Sequence, residues 1–311
     1  MSKKFMTYEQ QIGKLKNEKK LVINDEVYAK LILKQTSYYS LIGGYKEMFK
    51  NSTTQKYKQK VCFEDIKSLY EFDRELREVF LSYILRVEIQ MKSLISYVFC
   101  EEYGEQQQEY LKCTNYDYVG RKKRDVSGLV LRLKKANANK EYAYINHARK
   151  KHGNIPLWVL MNALTFGSVS AIYKNLTQRL KVKISHEYLH INESQVGKLV
   201  RYLVRYRNIC AHGERLFSHK SKDSIPDFIL HKKMGIKKID GQYQYGKHDL
   251  FAVVIALRYM LSGNDFKVFK KKLVRLLKQY FQKNQGIAKK EMLEYMGFPE
   301  NWKQITRFRK I

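Results

Sequence analysis

Proline is scarce, with three in 311 residues. With so little of it, and with no Ser/Gly/Pro stretch long enough to act as a linker, nothing marks off independently folding domains beyond one or two. Cysteine is nearly as rare. Cys62, Cys100, Cys113 and Cys210 form no CxxC pair, so neither a disulfide framework nor a cysteine-built zinc site is written here, and they read as scattered reduced thiols of a cytosolic protein. No run of about 18 apolar residues exists, which argues against a membrane span. The start, Met1 to Thr7, lacks the apolar centre of a signal peptide. The remaining shortage is of acid: 30 Asp+Glu stand against 60 Lys+Arg, a formal charge of +30.

Such an excess exceeds what solubility requires and attracts polyanions, with binding that weakens as salt is added. A generally Lys-rich proteome is the bland explanation. An anionic membrane surface is a second polyanion, but no lipidation motif accompanies the charge. Nucleic acid is the partner the composition favours. Hydrophobic residues at 44% and charged residues at 29% are ordinary for a globular chain.

Long stretches with three- and four-residue apolar spacing, and few alternating ones, predict an all-α fold. Thr7 with Gln10 forms a capping box for a helix to about Leu21. Asn24-Asp25 opens a second, to about Ser40, before Gly43-Gly44. The longest signal runs from Phe63 to Tyr103, carried by Ile66, Leu69, Leu76, Phe80, Ile84, Val87, Met91 and Ile95. Tyr116 to Asn139 is polar and basic, predicted as a loop with one short helix. Further helices are expected from Pro156, over Glu193 to His212, from Asp249 to Leu261, and over Phe266 to Lys283. Asp240-Gly241 is positioned to turn a small hairpin. This divides the chain into an N-terminal helical region (1–60), a core with loop insertions (61–262) and a basic C-terminal helical tail (263–311).

The helix from Glu193 carries the chemistry. At about 100° per residue, Arg201, Arg205, Asn208 and His212 share one polar stripe, opposite Val196, Leu199, Val200, Leu203 and Cys210. Arg207 stands on the apolar face. A guanidinium there needs a carboxylate, a phosphate or a partner subunit, and a structural ion pair is its commoner use. Glu88, set among Ile84, Leu85, Met91 and Ile95, is the simplest counter-ion. His212 sits at the last turn before Gly213, where the helix dipole favours an imidazolium and a ring can exchange protons at physiological pH. Capping carbonyls is its plainer role.

These residues resemble a family. Arg207-Asn208-Ile209-Cys210-Ala211-His212, continued by Gly213-Glu214-Arg215-Leu216, looks like the R-N-x-x-x-H form of the HEPN ribonuclease motif, in the version of AbiD/AbiF-type abortive-infection proteins. Ser37 to Ile42 with Gly44-Tyr45 and Phe49, Glu88 within Leu85 to Ile89, and Pro156-Leu157-Trp158 through Thr165-Phe166-Gly167 are similar to three further blocks of that family, in its order. Ser40, Lys92 and Asn162 depart from the family's usual residues, and the last two leave a carried-over polar network between the long helices open. The resemblance implies a HEPN-type helical bundle and a metal-independent endoribonuclease without cofactor, acting as an antiphage defence protein or toxin. Attack by a ribose 2′-OH would leave a 2′,3′-cyclic phosphate. His212 would serve as acid–base, Arg207 would stabilise the phosphorane and Asn208 would orient His212 or bind phosphate. RNA is then the substrate, a small structured regulatory RNA a further partner, and a homodimer the expected assembly. Arg201, Arg205, Arg215, Lys270, Lys271, Lys272 and Arg275 are candidate RNA contacts.

Two alternatives stand beside this. A HEPN-fold module could bind RNA without cutting it, keeping Arg207 and Glu88 as a structural pair. His186-Glu187-Tyr188-Leu189-His190 also spells the H-E-x-x-H of zinc proteases, but Glu193 and Val196 stand where the extended motif needs its Gly and third His. No metal site is therefore expected.

Overall fold

A computed structural model describes residues 4–284 and 286–308. Residues 1–3 of the expected N-terminal helical region, and residues 285 and 309–311 of the expected C-terminal tail, lie outside them. The described residues form α1 (Tyr8–Gly13), α2 (Glu26–Thr36), α3 (Phe63–Tyr103), α4 (Gln107–Leu111), α5 (Lys122–Ala138), α6 (Ala143–His152), α7 (Leu157–Leu160), α8 (Phe166–Asn175), α9 (Gln178–Ser185), α10 (Glu193–Ala211), α11 (Ile229–Lys233), α12 (Leu250–Met260), α13 (Gly263–Lys283) and α14 (Lys289–Tyr295). A single antiparallel hairpin, β1 (Lys238–Ile239) with β2 (Gln242–Tyr243), turns at Asp240-Gly241. The fold is all-α.

The spine is α3, whose 41 residues rise roughly 60 Å. Ile66, Leu69, Leu76, Phe80, Ile84, Val87, Met91 and Ile95 are buried along it. Against this spine lie α10, α13 and the shorter α7, α8 and α9. Helix α12 is buried on every side except at Arg258, as its lack of an amphipathic pattern requires, and α10 packs against it. One continuous cluster of buried side chains extends from Ile12 to Ile305. The N-terminal region is tied to the start of α3 by backbone hydrogen bonds from Val22 N to Val61 O (3.1 Å) and from Phe63 N to Val22 O (2.9 Å).

Two expectations need correction. The stretch from Tyr116 to Asn139 is not mainly loop: α5 occupies Lys122–Ala138, burying Val126, Leu129, Val130 and Leu133. Four apolar residues at helical spacing suffice because the intervening Lys and Arg are themselves good helix formers. The second helix stops at Thr36, because Ser37 takes φ 63° and its Oγ accepts a hydrogen bond from Ser40 N. The residues beyond it turn in a wide π-type coil over Tyr39–Gly43. The helix after Pro156 is short, and Gly167 lies just after it in the first turn of α8, for which Thr165 is the N-cap.

Candidate active site

Asn192 opens α10 with a capping box closed by Gln195, and the other end carries the motif. His212 is the C-cap. Gly213, at φ 68°, adopts the left-handed turn that suits glycine. Gly213 N donates to Cys210 O (3.4 Å) and Glu214 N to Ile209 O (3.0 Å), the two bonds of a Schellman ending. Asn208, Ala211 and His212 are exposed at this end.

The segment after His212 is fastened to the spine. Asp73, fully buried on α3, accepts from Leu216 N (3.0 Å), Phe217 N (2.7 Å), Tyr45 Oη (2.7 Å) and Arg77 Nη1 (2.8 Å). Arg77 Nη1 also donates to Glu214 O (3.3 Å). The Arg215 guanidinium donates to Gly44 O, which ties the same segment to the turn after α2. The sequence reading missed Asp73 and Arg77. Their signal was a carboxylate and a guanidinium one turn apart on the apolar stripe of α3, between Leu69 and Phe80.

These connections frame a cleft of about 480 Å³ lined by Tyr39, Ser40, Gly43, Gly44, Tyr45, Tyr70 and residues 212–215. His212 stands at this cleft. Arg207 does not line it. Five residues back on α10, it is turned about 140° away. Its Nε lies 3.5 Å from Glu88 Oε2, while Lys92 Nζ lies 3.0 Å from Glu88 Oε1. Glu88 is buried and Arg207 half-buried. Neither Arg207 Nε nor Glu88 Oε2 makes a hydrogen bond, so this contact is an ion pair without the directional component. Lys92 completes a three-residue cluster. Cys210 is no reactive thiol, since burial pushes it up to about 12.

The other candidate cations divide. Arg201 lines a groove of about 580 Å³ between α8, α9 and α10, together with Lys174, Lys181 and Lys198. Arg205 reaches Ser221 Oγ at 3.4 Å and Asp223 at 3.9 Å. Lys270 is not a free contact for RNA: its ammonium donates to Lys303 O and Thr306 Oγ1, both at 2.6 Å. Lys271, Lys272 and Arg275 are exposed. Lys272 lies 5.6 Å from the centre of the Tyr83 ring.

The zinc-protease motif is not on a helix. Helix α9 ends at Ser185, residues 186–190 form turns, and His190 has φ 67°. The shared helical face that an H-E-x-x-H site needs is absent. Among the described residues, no three His, Cys, Asp or Glu side chains cluster as a metal site would require. Nor is any helix among them long and apolar enough to cross a membrane.

A family model described as Abi-like protein matches residues 31–218, more than half of the chain. The chain belongs to the Abi-like protein family. Comparison with curated proteins and with solved structures gives no match. In this Abi-like protein the matched segment contains α3, the cleft beside His212 and the Glu88–Arg207 pair. Helices α11 to α14 lie beyond it.

Proposed function

We propose that this Abi-like protein is a metal-independent endoribonuclease of the HEPN type, acting in abortive-infection defence. The observation that carries the reading is the position of His212. It is exposed at the end of a long rigid helix, on the wall of a cleft, within an R-N-x-x-x-H spacing. An imidazole so placed can take the proton of a ribose 2′-OH. The 2′-oxygen then bonds to phosphorus, the P–O5′ bond breaks, and the leaving 5′-oxygen takes up a proton. The products are a 2′,3′-cyclic phosphate and a 5′-OH. General acid–base help of this kind contributes about 10²–10⁴-fold, and an arginine at the phosphorane adds electrostatic stabilisation. The net charge of +30 supplies the attraction to RNA.

Arg207 faces Glu88 rather than the His212 cleft, which supports an assembly of two copies. A two-fold dimer pairing the α10 helices would let His212 of one copy meet Arg207 of the other. The Arg207–Glu88 contact also suits a second reading, an RNA-binding module in which the pair is only structural. The deciding experiment incubates the protein with total and tRNA-enriched RNA in EDTA, followed by end-group analysis. Cyclic phosphate ends, lost in His212→Ala with the fold intact, are expected. Binding without cleavage would establish the second reading.

A further inference from the structure

The cleft beside His212 offers more than a phosphate needs: besides the imidazole and Arg215, whose guanidinium is on Gly44 O, three tyrosines line it. Its rim carries Tyr39, a residue 80% exposed although it stands on the turn over Tyr39–Gly43. Gly43 leaves its near side open to the backbone: a side chain starting there would already be in contact with the Tyr39 ring, its Cβ 3.6 Å from Cδ2. Tyr70 meets Tyr45 edge to face at 5.5 Å, and Tyr45 is fixed in turn by Asp73. Between these rings the wall is the backbone of Gly43 and Gly44. At Gly44 nothing stands within 4 Å of where a side chain would begin. Glu214 also borders the cleft. A carboxylate repels a phosphate but accepts hydrogen bonds from the N–H edge of a base, and guanine presents two such donors side by side.

Resting on the ribonuclease reading, we infer that this cleft receives one unpaired nucleobase of single-stranded RNA, stacked on Tyr39, with guanine preferred through Glu214. Stacking on an exposed aromatic is how sequence-tolerant RNA sites hold unstacked bases. The carboxylate adds the discrimination. Seating a base here sets the adjoining ribose and phosphate beside His212.

The test uses short fluorescent oligonucleotides of 2′-O-methyl RNA, which cannot undergo 2′-OH attack, and reads binding by anisotropy. Placing one abasic residue at each position in turn is expected to cost the parent about tenfold or more in affinity at a single position, the range expected of one stacked base. Tyr39→Ala should lose the same factor for the intact oligonucleotide and show no further loss with the abasic one. Tyr39→Phe should bind as the parent does. Glu214→Gln should erase the preference for guanine at that position. The exposed ring makes Tyr39→Ala safe for folding, which a melting curve verifies. Parent-like affinity and an unchanged abasic penalty in Tyr39→Ala would overturn the base pocket; a parent without preference for guanine would overturn the role of Glu214. Because the probe is uncleavable, either result stands whether or not the protein proves to cut RNA.

Discussion

Two ion pairs with a carboxylate on α3 differ in what they hold. Asp73 is fully buried, accepts four hydrogen bonds and neutralises a buried Arg77. Removing its charge strands that guanidinium, which typically costs about 3–5 kcal/mol. Asp73→Asn is therefore expected to lower the unfolding free energy by that order in urea titrations. Arg207 is different. Its distance to Glu88 is 3.5 Å without a hydrogen bond, its side chain is 29% exposed, and Lys92 stays on Glu88 when it is removed. Arg207→Ala should cost about 1 kcal/mol or less, as partly exposed pairs do. A large loss of RNA cleavage in Arg207→Ala at near-parental stability would then report chemistry. A loss of stability comparable to that of Asp73→Asn would instead mark Arg207 as structural.

At the scale of helices, α3 and the ends of α10 were legible because long apolar periodicity, a capping box and a terminal glycine all agree there. Helix α5 was read too short because four apolar residues are diluted by basic ones. The cleft wall from Tyr39 to Gly44 was illegible because a left-handed Ser37 and a π-type coil have no periodicity to read. Of the site, His212 and the Glu88–Arg207 pair could be placed from spacing. Asp73 could not, since two of its donors are backbone amides 143 and 144 residues away. Helix α12 carries a pH dependence of its own. Its N-cap, Asp249, accepts from Gly246 N and Ala252 N, and burial pushes its carboxyl up to about 7. The unfolded chain would release that proton near pH 4, so the folded state binds it more tightly. This group's contribution to stability is thus largest under acid conditions and falls as pH rises through about 7. Asp249→Asn keeps a capping oxygen and removes the fall. Its melting temperature relative to the parent should rise between pH 5.5 and 8.5, and a difference that stays flat would refute the assignment. On α13, Lys271, Lys272 and Arg275 are exposed while Lys270 is committed to the chain's end. Changing those three to glutamine should flatten the slope of log affinity against log salt by about two units on single-stranded RNA, at about 0.7 per phosphate. An unchanged slope would make α13 a cover for α3 and move the RNA path to the groove at Arg201.

For the whole molecule, the separation of His212 from Arg207 sets a test of assembly. If one active centre draws on both copies of a dimer, His212→Ala and Arg207→Ala should each be inactive alone. Mixed in equal amounts and allowed to exchange, they should recover about a quarter of parental cleavage, since half the dimers carry one intact site in two. No recovery, with exchange verified by mass, would require each copy to act alone. The Asp73 hub also has a bearing on motion. The segment after His212 belongs to no helix, and such segments ordinarily exchange their amide hydrogens through small local openings. Here the amides of Leu216 and Phe217 end on a carboxylate sealed inside the spine. Freeing either means pulling a buried carboxylate off its donors, so both should exchange far more slowly than ordinary loop amides, close to the rate at the centre of α12. The polypeptide next to His212 would then be among the last parts of this protein to loosen, and any molecule entering the cleft would have to be accommodated from the Tyr39 side.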